Sequence, residues 1–245
     1  MEKKDVLILL IIYKAHLNEY EIKSVESCFR VFKNREICIV FPNGTDMSEI
    51  VELSKKNNKS VAFLEIEEKW LSSVEMYGHL LIHPNFYRMF TTYKYILIYQ
   101  TDVYALYDNL DYYMEMDYDY YASCCYFIDS MAFLKCLCGG FSLRKVSSFI
   151  ENIENRPDWE ETNNNKNFNA EDLFFINETY GLKNISPPEI GQYFSFDSYL
   201  LTDDFIDIYE NNKDISKFPM AIHKYGDKRF NILAEYVIKK YNESI

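Results

Sequence analysis

Apolar positions along the chain fall into runs whose period changes several times. Residues 6–13 form an unbroken apolar run, as expected of a strand covered on both faces of a parallel sheet. Over about 19–32 the spacing turns helical, with Ile22, Val25, Cys28, Phe29 and Phe32 on one side. A second apolar run, 37–41, stops at Pro42-Asn43-Gly44. Residues 47–56 read as a helix and 61–66 as a third strand. Residues 71–90 are mostly helical, with a break near Pro84. A fourth strand, 95–99, ends at Gln100-Thr101-Asp102, and 120–125 reads as a fifth. This alternation predicts an α/β fold, a parallel central sheet with helices on both faces.

The second half is less regular. Residues 147–153 continue a helix after Arg144-Lys145. Residues 155–169 are polar with an Asn run and predict a mobile loop rather than a linker, because too little chain follows for a second core. Residues 170–178 read as a helix, and 194–199 and 220–222 as late short strands. No internal repeat is visible. The expected organisation is one domain over 1–245.

Length and charge narrow the classes. At 245 residues the chain can bury a sizeable core without a disulfide or metal staple. With 26 Lys+Arg against 38 Asp+Glu, the net charge is −12. That excludes a general nucleic-acid binder, which needs a basic stripe to displace counterions, and docking by charge to an anionic membrane. Tyr and Phe are abundant, at 22 and 18. They suit cores and also sugar or base stacking, and a coding bias toward Asn, Lys, Ile and Tyr explains them equally well. Of the six Cys, Cys124 and Cys125 are adjacent and Cys136 and Cys138 are one residue apart. Neither spacing is a zinc or redox motif. Small buried hydrophobes in a reducing cytosol are expected. The N-terminal apolar run is short, has an acidic flank and lacks a cleavage site. No run approaches the ~20 residues that span a bilayer. A cytoplasmic protein is therefore expected.

The nucleotide fingerprints GxGxxG and GxxxxGK[ST] are absent, which argues against a dehydrogenase or a P-loop enzyme. Four other stretches can carry chemistry. Asp102 closes the fourth strand, at the sheet edge where α/β folds bind ligands. There it can hold a divalent ion that bridges a diphosphate, or cap the next turn. In Cys138-Gly139-Gly140-Phe141-Ser142-Leu143-Arg144-Lys145, paired glycines ahead of a helix allow close backbone approach to a ligand, or make a tight turn. Glu171-Asp172 opens a helix, either complementing its dipole or supplying a general base. His223 ends a short apolar run, as a metal ligand or a hydrogen-bonded core residue. His79 and His83 are four apart with no third zinc-type ligand nearby.

The order of these stretches is more specific than any one of them. Tyr99-Gln100-Thr101-Asp102, Gly139 to Arg144, Glu171-Asp172, Phe194-Ser195-Phe196 and His223 together resemble a bacterial and phage-type glycosyltransferase family of uncharacterised-domain type. That family in turn resembles the GT-A nucleotide-sugar glycosyltransferases. The resemblance runs from the first strand to about Tyr225. It implies a Rossmann-like nucleotide-sugar half, about 1–105, and an acceptor half, about 106–245. It implies that Asp102 and His223 hold Mn²⁺ or Mg²⁺, that Asp172 is the catalytic base, and that Glu171 serves the acceptor. Tyr13, Phe41, Asn43 and Gln100 would join Asp102 at the donor nucleotide, and the loop with Gly139, Gly140, Ser142 and Arg144 would line the acceptor and donor. The implied donor is a nucleotide sugar, UDP-sugar favoured, and the implied acceptor a glycan or polysaccharide hydroxyl, attacked with inversion. Position 100 is Gln where a full DxD motif has its first acid. A catalytically degenerate sugar-binding protein with the same fold is the alternative. A nucleotidyltransferase would want a Gly-rich basic loop after the first strand, and Lys14-Ala15-His16-Leu17-Asn18 has no Gly.

Overall fold

The computed structural model describes residues 3–123, 138–166, 168, 170–197, 218–227 and 231–245. Cys124, Cys125 and Cys136 lie outside them, as do the far ends of the strands expected at 120–125 and 194–199.

The first half follows the apolar runs. It comprises β1 (Lys4–Ile11), α1 (Glu19–Val31), β2 (Glu36–Pro42), α2 (Ser48–Lys56) and β3 (Ala62–Ile66). A 3-10 turn at Glu68–Leu71 leads to α3 (Val74–Leu81), α4 (Pro84–Arg88) and β4 (Tyr93–Gln100). The unbroken apolar run of β1 reflects a strand shared by two cores. Val6, Ile8 and Leu10 pack on one face with Val25, Cys28 and Phe29 of α1. Leu7, Leu9 and Ile11 pack on the other with Leu80 and Leu81 of α3 and Phe86 of α4. Pro84 takes the first position of α4, where its missing N–H costs nothing, so the expected break divides two helices. A capping box starts α1: Asn18 accepts the Tyr20 and Glu21 N–H groups, and Glu21 accepts the Asn18 N–H.

The second half holds β5 (Val103–Ala105), α5 (Leu110–Glu115), β6 (Tyr120–Ser123), β7 (Cys138–Lys145), α6 (Val146–Glu154) and α7 (Trp159–Asn163). Then come α8 (Glu171–Ile176), α9 (Pro188–Phe194), β8 (Ser195–Asp197), β9 (Ala221–His223) and α10 (Asn231–Ser244). Among the described helices, none is long and apolar enough to cross a membrane.

The strands form a six-stranded sheet ordered β3-β2-β1-β4-β7-β6 and a three-stranded sheet ordered β5-β9-β8. The pairs β1–β2, β1–β4 and β2–β3 are parallel. From β1 the chain winds outward through β2 and β3, then returns to β4 on the other side of β1. Strand order thus reverses between β1 and β4, and a crevice opens at their carboxyl ends.

Two expectations change. The Gly139–Arg144 segment is not a loop but β7, paired antiparallel with both β4 and β6. A Gly-Gly pair reads locally as a turn because glycine tolerates any backbone angle. Here the strand is imposed by neighbours on both sides, and its following side chains Phe141, Leu143 and Val146 are buried. The antiparallel sense matters for the site: Phe141 lies opposite Tyr99, so the glycine end of β7 reaches the carboxyl end of β4. The polar stretch 155–169 also departs from a plain loop. It contains α7, whose Trp159 indole donates to the Ile82 carbonyl at 2.8 Å, and Arg156 is buried in an ion pair with Asp158 at 2.7 Å. Residues 167 and 169 lie outside the described set.

Candidate active site

A cavity of about 460 Å³ opens at the crevice between the carboxyl ends of β1 and β4. Ile11 and Tyr13 line it from the β1 end, Gln100, Thr101 and Asp102 from the β4 end. Val74 and Tyr77 of α3 form an apolar wall, and Lys224 comes in from beyond β9. The Tyr13 ring is half exposed at its mouth, and its hydroxyl donates to Glu21 at 3.0 Å. The α1 capping box therefore also fixes a cavity residue. Phe41 and Asn43 stand outside this lining. Phe41 packs edge-on against Phe63, and the Asn43 side chain accepts the Glu68 N–H at 2.9 Å.

The four sequence stretches converge at this edge. Pairing of β9 with β5 sets His223 opposite Val103, next to Asp102. His223 Nε2 and Asp102 Oδ1 stand 3.6 Å apart. A Cβ on Gly140 would collide with His223 Nε2, and would lie 2.6 Å from Gln100 Oε1. Only a glycine therefore lets β7 pass beneath the imidazole. A Cβ on Gly139 would collide with Glu171 Oε1 and lie 2.8 Å from Arg144 Nη2. The two glycines point to alternate faces, so one makes room for His223 and Gln100 and the other for Glu171.

Arg144 and Ser142 do not face the cavity. Both are fully buried. The Arg144 guanidinium donates to Glu171 Oε1 at 3.0 Å, Tyr87 Oη at 2.9 Å and Ser142 Oγ at 2.9 Å. Glu171 is therefore a buried anion held by a buried cation. Asp172, next along the first turn of α8, is partly buried and accepts the Gly139 N–H. Burial pushes its carboxyl up to about 6, with the Glu171 charge adding to the effect and Arg144 opposing it.

Two residues of this cluster carry no signal in the sequence. Asp197 directly follows Phe194-Ser195-Phe196, and its carboxylate stands 3.2 Å from His223 Nδ1. Lys224 has φ of 60°, a left-handed conformation rare for a non-glycine residue and common at functional sites. That turn aims its ammonium at Asp102 Oδ2, 3.1 Å away. Burial works against the ammonium, but the Asp102 charge outweighs it and holds its pKa above the usual lysine value. No local pattern marks either residue; both are found only through β8–β9 and β5–β9 pairing.

The residues can be tested against a divalent ion. Asp102 Oδ1 and His223 Nε2 are both buried, and neither makes a hydrogen bond among the described residues. In the tautomer whose Nδ1–H donates to the Asp197 carboxylate, the Nε2 lone pair faces the Asp102 oxygen. A cation between these two atoms would satisfy both, and one carboxylate oxygen with one imidazole nitrogen suits Mn²⁺ or Mg²⁺. Carboxylate support of the opposite ring nitrogen is the usual arrangement of a ligating histidine. The set fits the ion but offers one acid fewer than a DxD motif.

The fold is that of GT-A glycosyltransferases. The galactosyltransferase LgtC, solved with donor and acceptor sugar analogues, matches over 97% of this chain and 95% of its own, at TM-score 0.58 and 12% identity. The apo glycosyltransferase GlyE of Streptococcus pneumoniae TIGR4 matches over 98% of this chain and 63% of its own, at TM-score 0.56 and 11% identity. The bifunctional glycosyltransferase WbbM in apo form matches over 98% of this chain and 49% of its own, at TM-score 0.52 and 12% identity. The chain thus spans about 63% of the length of the pneumococcal protein. At these identities the likeness is one of fold. No curated protein sequence matches. A family model does match, over residues 60–223, which takes in β3 to β9 and with them Asp102, both glycines, the acidic pair and His223, and the chain belongs to that family, described as protein of unknown function (DUF5672).

Proposed function

We propose that the protein is a glycosyltransferase that moves a sugar from a nucleoside-diphosphate donor, UDP-sugar favoured, to a hydroxyl of a glycan or polysaccharide acceptor, with inversion. One observation carries the reading: four stretches far apart in sequence come together at the carboxyl edge of β1 and β4, beside a cavity lined by Tyr13, Gln100, Asp102 and Lys224.

Tyr13 stacks on the donor base at the cavity mouth, with Val74 and Tyr77 alongside the donor. Asp102 and His223 would hold Mn²⁺ or Mg²⁺, which when bound supplies positive charge against the departing diphosphate. Lys224 adds a fixed cation beside the same carboxylate. Asp172 removes the acceptor proton. A carboxyl raised to about 6 remains ionised at neutral pH yet holds a proton better than an ordinary aspartate. Arg144 anchors Glu171 so that the acceptor side of the site is charged and rigid. A single displacement by a hydroxyl so activated inverts the anomeric centre.

Thermal melting in a panel of nucleoside diphosphates, with and without Mn²⁺, tests this. One nucleotide plus metal should raise the melting temperature, since a ligand of the native state stabilises it by mass action. The matching nucleotide sugar should then be hydrolysed or transferred. Gln100 in place of the first acid, and Lys224 already on Asp102, favour one second reading: a sugar-nucleotide-binding protein without turnover. Binding without hydrolysis or transfer would select that reading, and absence of nucleotide binding would reject both.

A further inference from the structure

His223 belongs to a second donor set. Cys138, Asp197 and His223 each offer one ligand atom, and these atoms all lie within 4.8 Å of one another. Asp197 and His223 are buried and Cys138 is half-buried, so the group is built into the protein yet open on the thiol side. Their positions are set by three strands. Cys138 opens β7, and Asp197 and His223 are register partners in β8 and β9. Donors on one tetrahedral Zn²⁺ stand roughly 3.3–3.7 Å apart. The Asp197 carboxylate and His223 Nδ1 are already at 3.2 Å; with the ring proton on Nε2 the Nδ1 lone pair is the zinc donor, and closing the set requires a thiol movement of about an ångström.

We propose that Cys138, Asp197 and His223 form a binding site for a thiophilic divalent cation of the Zn²⁺ type, with water in the fourth position. The donor chemistry distinguishes it from the Asp102–His223 pair. Thiolate with imidazole selects zinc over magnesium or manganese, whereas carboxylate and phosphate oxygens select the hard ions. On binding, the Cys138 thiol releases its proton to solvent. The Lys224 ammonium lies close enough to interact with Cys138. Neutral imidazole has one lone pair, so His223 cannot serve both ions at once. Zinc at Cys138–Asp197–His223 therefore excludes a hard cation from Asp102–His223. The exclusion rests on the donor-site reading given above; the zinc site does not.

Cobalt(II) chloride added to the metal-free full-length protein tests the site itself. The expected result is a thiolate-to-cobalt charge-transfer band that saturates at one equivalent, is lost on adding Zn²⁺, and is absent in Cys138→Ser and Cys138→Ala. A cobalt spectrum with no thiolate band, or a band that both variants retain, overturns the site. Melting curves establish that the variants are folded. Manganese EPR tests the exclusion: one equivalent of Zn²⁺ should release bound Mn²⁺ from the wild type, and Cys138→Ser should need more Zn²⁺ for the same release, because there zinc competes only directly for Asp102 and His223. Mn²⁺ retained by the zinc-loaded wild type overturns the exclusion. A protein that never binds Mn²⁺ defeats the donor-site reading and leaves the cobalt result to decide the zinc site.

Discussion

Replacing Asp172 by Asn should make the protein inactive and more stable at once. The substitution keeps shape and the acceptor oxygen for the Gly139 N–H but removes the charge. In the folded protein, burial raises this carboxyl from 3.8 to about 6. At about 1.36 kcal/mol per pH unit, ionising it in place costs the fold about 3 kcal/mol. The sign follows from proton binding. Below pH 3.8 the group is neutral in both folded and unfolded chains and costs nothing. Between 3.8 and about 6 only the unfolded chain ionises, so stability falls as pH rises. Above about 6 the full cost is present. Urea unfolding of wild type and variant from pH 4 to 8 reads this directly. The variant should be more stable by about 1–3 kcal/mol at pH 7.5, with the gap closing toward pH 4. Comparing the two proteins at each pH cancels the titrating groups that do not interact with Asp172. Turnover should fall by roughly 10²–10⁴, as for loss of a general base, while nucleotide binding survives. A variant less stable than wild type at pH 7.5, or a gap independent of pH, would refute the burial argument; retained turnover would refute the base assignment.

Three further outcomes follow from the same geometry. Gly140→Ala places a methyl group against His223 Nε2 and Gln100 Oε1; it should weaken Mn²⁺ binding, read by EPR titration, at a stability cost of about 1–3 kcal/mol. Arg144→Ala strands the buried Glu171 carboxylate and should cost about 3–5 kcal/mol in urea unfolding, with Arg144→Lys intermediate because it keeps the charge but not the fork. Asn18→Ala removes the α1 cap and should lower stability by about 1 kcal/mol; it should also weaken nucleotide binding, because Glu21, its capping partner, holds the Tyr13 hydroxyl.

Much of this protein is legible in the amino-acid sequence by itself. Continuous apolar runs mark β1, β2 and β4, because a strand buried on both faces has no polar positions to spare. Helical spacing marks α1, and the order of the Asp102, Gly139-Gly140, Glu171-Asp172 and His223 stretches points to the right fold and to one cluster of residues. Those signals are local in the chain, which is why sequence carries them. Tertiary structure alone decides the rest. Gly139 and Gly140 are locally a turn signal; they are glycines in a central strand because Glu171, His223 and Gln100 occupy the space their side chains would need. Arg144 is a buried counter-charge only because α8 delivers Glu171 to it. Asp197 and Lys224 matter only because β8, β9 and β5 pair beside the end of β4. Each of these depends on contacts between residues distant in sequence, and no period or spacing along one chain encodes which distant charge will stand across from another.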